Sequence, residues 1–262
     1  MLQNSSNNTA IDSEPPRETP VRKWAMLVVL PAWVLGGFLA AQVIVIGTIQ
    51  LLDVSGALGG WISQTILNTI FSILIYAITL AIVVGLPWLI HHYKTSRKDV
   101  GLARLPSWTD IWLAPTGLVI YFIFSAILIL IATHLFPAFD VDQAQGVGFD
   151  GLNQRYEYIL AFLTLVIVAP VAEEILFRGY LYGKLRRHVP IWAAIIVTSI
   201  LFGAIHGTWN VAIDTFALSV VLCTLREITG NIWASMLLHM AKNGIAFYLL
   251  FINPMIFTTL GG

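Results

Sequence analysis

The chain is predicted to be an all-α, polytopic transmembrane helical bundle of about seven to eight spans, and three observations predict it. Hydrophobic residues make up 58% of its 262 residues and charged residues only 11%, against about 25% charged in an ordinary soluble domain. The apolar residues are gathered into runs that approach or exceed the roughly 20 residues a spanning helix needs. The basic residues fall between those runs, almost all on one side of the implied membrane. The formal net charge is zero, so no nucleic-acid partner is expected. Membrane lipid is the expected surroundings. The single cysteine, Cys223, excludes an intramolecular disulfide and sits in an apolar run where packing is its expected role.

Seven hydrophobic segments follow in order, at about 24–52, 62–90, 111–135, 158–178, 190–206, 210–225 and 232–252. Residues 1–20 are polar and proline-containing, and read as a disordered cytoplasmic tail rather than a secretory signal. Residues 21–262 form the transmembrane domain. The first two segments are long enough to tilt or break, and Gly36-Gly37 marks the expected bend in the first. The fifth and sixth are short, separated only by Gly207-Thr208-Trp209-Asn210, so an eighth or re-entrant piece belongs there if anywhere.

Orientation follows from the cations. Arg17, Arg22, Lys23, Lys94, Arg97, Lys98, Arg104, Lys184, Arg186, Arg187 and Arg226 lie on one side of a seven-span layout. Arg155 alone lies on the other, beside Asp140, Asp142, Asp150 and Glu157. Eleven against one places the N-terminus in the cytoplasm, in what reads as a prokaryotic plasma membrane. Trp24, Trp61, Trp88, Trp108, Trp192, Trp209 and Trp233 fall near span ends, as interfacial anchors do. His91, His92 and His134 also sit at span ends and read as interfacial.

Against this apolar background stands VAPVAEEILFRGY, with Glu173, Glu174 and Arg178. Carboxylates at membrane depth are expensive, so an intramembrane pair marks a functional site by default. Glu174 and Arg178 share a helix face at a spacing of four, the better order for an ion pair, and a buried structural pair is the competing reading. Glu173 points about 100° away. Burial beside a like charge makes this unpaired carboxylate the better general base for water.

Two further segments carry histidines: Phe202-Gly-Ala-Ile-His206 and His239-Met-Ala-Lys-Asn243. Gly203 and Gly207 frame the first in a small-xxx-small spacing that admits a close neighbouring helix. Phe202, one turn before His206, reads as packing more than chemistry. His239 and Asn243 share a face, and both can donate hydrogen bonds to an oxyanion. From the basic side, Glu173 and His239 fall at similar depth. His206, counted straight from Ile191, falls roughly 10 Å deeper unless its helix starts late, tilts or breaks. Lys242 is expected to snorkel to the cytoplasmic interface. Asn210 and Asp214 read as caps of the sixth helix. The Asp140/Asp142/Asp150 loop lacks EF-hand spacing.

EExxxR, FxxxH and HxxxN, in this order on successive spans, resemble the CPBP family of intramembrane glutamic proteases. This is the CAAX protease and bacteriocin-processing group, also called Abi, which includes the type 2 CAAX prenyl endopeptidases. The resemblance covers about 155–252, and the first three spans share only hydrophobic character. It implies that Glu173 activates a water with help from His206, and that His239 and Asn243 stabilise the tetrahedral oxyanion. Glu174 with Arg178 would hold the helix and contact the substrate, with Phe202 beside them. The implied activity is endoproteolysis of membrane-associated, lipidated or prenylated peptides close to the cytoplasmic side.

No cofactor is expected, because HExxH and cysteine ligand pairs are absent. Two glutamates and two histidines nevertheless form a zinc-compatible donor set, so a zinc-dependent membrane protease is an alternative. A non-catalytic peptide-binding or immunity protein is another. A proton-relaying transporter is the third, and it would be favoured by inverted repeats, of which the sequence shows none.

Overall fold

The computed structural model describes residues 20–55, 63–92, 95–141, 143, 146, 148–149 and 151–255. The expected tail before Pro20, with Arg17, Trp61, Lys94, Asp142 and Asp150, lies outside the described residues. Among the described residues there is no strand. Seven helical rods account for most of the chain: α1 Pro20–Val54, α2 Gln64–Ile90, α3 Trp108–Leu135, α4 Arg155–Leu185, α5 Ile191–Ala204, α6 Trp209–Thr229 and α7 Trp233–Ile252.

Five of these, α1 from Lys23, α2, α3, α4 and α7, are long and apolar enough to cross a bilayer. The other two differ for physical reasons. α5 has 14 residues, about 21 Å of helix, short of a core about 30 Å thick. α6 is long enough but carries Asp214, Arg226 and Glu227. It is sheathed by protein instead, packing against α3, α5 and α7 and burying Leu218, Val221, Leu222 and Cys223.

Local signals account for the helix ends. Ser63 caps α2 by accepting from the Ile66 amide. α3 starts three residues earlier than its apolar run, because Asp110 accepts from both the amide and the hydroxyl of Ser107, a capping arrangement. The same carboxylate binds Arg104 at 2.6 and 3.1 Å. Gly230, with φ +68°, ends α6 in the left-handed conformation, as glycine does after a helix. α1 is one continuous α-helix through Gly36-Gly37, with no break there. A Cβ on Gly37 would lie 2.5 Å from Val83 Cγ2, so this glycine lets α1 and α2 approach closely.

α4 departs most from ideal winding. It is wound as π-helix over Leu163–Val168 and again over Glu174–Tyr182, a local widening of the helix that is frequent at functional sites.

The basic segments converge on one end of the bundle. There Arg187 pairs with Asp99 at 2.5 Å, Arg186 with Glu227 at 2.6 Å, and Trp233 Nε1 donates to the Arg104 carbonyl at 2.7 Å. At the other end Asn210 Nδ2 donates to the carbonyls of Val141 and Gln143, both at 2.9 Å. Thr65 donates to Glu157 there, and Asn68 to the Gly148 carbonyl. Trp24, Trp88, Trp108, Trp192 and Trp209 are exposed at helix ends. Exposed Val28, Val43, Val119, Ile123 and Leu130 give α1 and α3 the apolar outer surface that lipid requires. His92 and His134 are exposed near their helix ends.

Candidate active site

α4, α7 and the turn after α5 bring Glu173, His206, His239 and Asn243 to one cavity. Glu174 is wholly buried, and its Oε1 accepts from Arg178 Nη1 at 2.9 Å and from His239 Nδ1 at 2.9 Å. The other imidazole nitrogen of His239, Nε2, lies 3.7 Å from Glu173 Oε2. His239 thus sits between the two adjacent carboxylates. Glu173 Oε1 in turn accepts from Tyr76 OH of α2 at 2.5 Å.

This geometry fixes the tautomer. Arg178, fully buried, keeps Glu174 an acceptor, so Nδ1 of His239 must carry the proton between them. A neutral His239 then presents a lone pair at Nε2 to Glu173.

His206 arrives by a different route from the one its sequence position suggests. α5 ends at Ala204, and Gly207 turns the chain with φ +83°, so His206 lies in the turn rather than deeper along a continuous helix. His206 Nδ1 donates to the Phe202 carbonyl at 2.6 Å, leaving Nε2 as the ring's acceptor in the neutral form. Gly203 serves helix contact as expected, since a Cβ there would lie 2.6 Å from the Ala212 carbonyl oxygen of α6. Gly207 does not, because a Cβ there would meet nothing within 4 Å.

Asn243 Nδ2 donates to the Leu165 carbonyl at 2.9 Å, tying α7 to the first π-wound stretch of α4. Glu173, His206, His239 and Asn243 all line one cavity of about 430 Å³. Glu174, Arg178 and Phe202 do not line it. Glu174 acts on the site through His239. Arg178 and Phe202, expected at the substrate, are wholly buried behind the carboxylates. The Arg178 guanidinium lies 4.2 Å from the Phe202 ring centroid, a cation–π contact. Phe202 also packs edge-on against Phe177, His206 and His239.

Two expectations are corrected here. Lys242 does not snorkel: its Nζ lies 3.5 Å from Asp214 Oδ2, and both residues line the cavity. Asp214 is not a cap, since its Oδ1 accepts from Tyr121 OH at 2.7 Å and Ser125 OH at 2.6 Å on α3. Asn210 ties down the loop after α3 with its amide nitrogen. Sequence reasoning missed Tyr76 altogether, because a lone tyrosine in an apolar run carries no spacing signal. Tyr121 and Ser125 escaped for the same reason.

Among the described residues no three His, Cys, Asp or Glu side chains are grouped as metal ligands. The one oxygen of Glu174 that faces His239 is already taken by two donors.

Residues 155–245 match a family model described as type II CAAX prenyl endopeptidase Rce1-like. Among curated proteins, the chain is similar to an Escherichia coli "Uncharacterized 24.3 kDa protein", 32% identical over 89 residues, covering 32% of this chain and 41% of that one. It is 37% identical over 84 residues to Bacillus subtilis (strain 168) "Uncharacterized protein YpbD", covering 30% of this chain and 39% of the relative. It is 27% identical over 84 residues to "Putative membrane peptidase YdiL" of the same organism, covering 32% and 34%. The matches thus span about two fifths or less of these relatives' length. No solved structure matches. All three motifs, with Glu173, Glu174 and Arg178, with Phe202 and His206, and with His239 and Asn243, fall inside the stretch that is similar to the type II CAAX prenyl endopeptidase Rce1-like model.

Proposed function

We propose that this integral membrane protein is an endopeptidase that hydrolyses peptide bonds of membrane-associated or lipidated peptides with a glutamate-activated water and no metal. The observation that carries the reading is the convergence of Glu173, His206, His239 and Asn243 on one cavity, with His239 held from behind by Glu174. Glu173 takes a proton from a water that His206 Nε2 orients, and the water oxygen attacks the peptide carbonyl carbon. In its protonated form His239 donates from Nε2 to the developing oxyanion, its charge offset by Glu174. Asn243 has a second amide proton beyond the one given to Leu165, and donates that to the same oxygen. When the C–N bond breaks, Glu173 returns its proton to the leaving amine nitrogen, leaving a carboxylic acid, which keeps the second water proton, and an amine. Glu174, Arg178 and Phe202 position these groups without touching substrate.

Turnover of a quenched fluorescent peptide by protein in lipid tests the proposal. Glu173→Gln should lower the rate by about 10²–10⁴-fold, and a chelator should leave the parent unchanged. A non-catalytic peptide binder would show equal, background-level rates in parent and variant, and that result would overturn the reading. Loss of activity with chelator, restored by zinc, would favour the metalloprotease alternative.

A further inference from the structure

The cavity is one-sided. Its floor is Glu173 and His239, and its lining runs through Lys242, Val211 and Leu250 to Val141 at the loop after α3. No lining residue comes from the segments 95–104, 184–190 or 226–233, which gather at the opposite end of the bundle. Those segments carry Arg97, Lys98, Arg104, Lys184, Arg186, Arg187 and Arg226. The site therefore faces away from the end where the cations collect.

Cytoplasmic loops carry the excess of Lys and Arg. Resting on the protease reading above, we infer that the cavity opens toward the extracytoplasmic side. Its substrate is then an apolar peptide segment in or at the outer leaflet, rather than the lipidated tail of a cytoplasmic protein. The wall fits such a segment: Ile129, Val141, Leu250 and Phe251 line the approach, while the polar groups sit on and above the floor. Such a substrate reaches the site only after export of the peptide, so the reaction supplying it is transport across the membrane.

Cysteine accessibility in membrane vesicles decides the sidedness without relying on catalysis. The native Cys223 is buried, so the parent supplies the background. Val141→Cys, at the approach, Val211→Cys, within the cavity wall, and Lys98→Cys, in the basic loop, are each labelled with a membrane-impermeant maleimide. In right-side-out vesicles the first two should label about tenfold more than in inverted vesicles, and Lys98→Cys should show the reverse. Labelling of Val211→Cys from the same face as Lys98→Cys would overturn the inference, even if Val141→Cys behaved otherwise. Glu173-dependent cleavage in detergent, where both faces are open, tests the protease reading separately. In sealed vesicles an impermeant quenched peptide added outside should be cut by right-side-out and not by inverted preparations. The opposite pattern, with detergent activity intact, would sink the sidedness alone.

Discussion

Glu173 and Glu174 are chemically identical neighbours, yet their surroundings predict opposite phenotypes. Glu174 holds a fully buried Arg178 and the Nδ1 proton of His239. Glu174→Ala strips the guanidinium of its only carboxylate among the described residues, and breaking a buried pair by removing one partner costs about 3–5 kcal/mol. At about 2–4 °C per kcal/mol for a domain of this size, the expected drop in Tm is roughly 6–20 °C. Glu174→Gln keeps an acceptor but loses the charge, so it should lose about 1.5–3 kcal/mol. Glu173 faces the cavity and takes its strongest bond from the Tyr76 hydroxyl, a donor that an amide oxygen still satisfies. Glu173→Gln should therefore shift Tm by little, about 1 kcal/mol or less, while abolishing turnover. Scanning fluorimetry of the purified proteins in one lipid, run beside the peptide assay, reads both effects. If Glu173→Gln lowers Tm as far as Glu174→Ala, or if Glu174→Ala leaves Tm in place, the division of labour drawn here is refuted.

Further outcomes follow from the same contacts. Tyr76→Phe removes one charge-assisted hydrogen bond on Glu173 and should cut turnover about tenfold with the fold retained; an unchanged rate would show that Tyr76 does not position the base. Gly203→Val forces a side chain against the Ala212 carbonyl and should cost about 1–3 kcal/mol, seen as a lower Tm, whereas a neutral result would mean α5 and α6 are not in contact there. Asp214→Ala leaves Tyr121, Ser125 and Lys242 without their shared acceptor, and pairing it with Lys242→Met should recover part of the lost Tm. Additive losses would argue against the pair. Asp99 is held well below the usual carboxylate range by the Arg187 guanidinium, aided by Ser96. Its contribution is fully present above the unfolded carboxylate's value of about 3.9 and fades as pH falls below that. The protection factors of the Ser96–Leu102 amides, which remove the pH dependence of intrinsic exchange, should stay constant down to about pH 5 and fall below about 4, and a fall already near neutrality would contradict the assignment.

The membrane bundle was legible because bilayer crossing is a one-dimensional requirement: a long enough apolar run satisfies it wherever the rest of the chain goes. The same holds for the motif residues, since buried Glu, Arg and His are costly enough to stand out in any apolar stretch. Helix ends were less visible. α3 began earlier because Asp110 reaches back to Ser107, and α4 ran on through Lys184, where basic residues had suggested its end.

What the sequence determined by itself is the helical class, the one-sided distribution of cations and the identity of the groups that meet in the cavity. Tertiary structure alone decided which of them meet it. Tyr76, Tyr121 and Ser125 acquire polar partners only through contacts 89–97 residues away in the chain, which no local spacing encodes. His206 reaches the cavity because α5 stops at Ala204, whereas Arg178 and Phe202, in equally prominent motifs, are turned behind it. The physical reason is that local pattern sets what a residue costs to bury, and only packing between helices sets which face of that residue remains open.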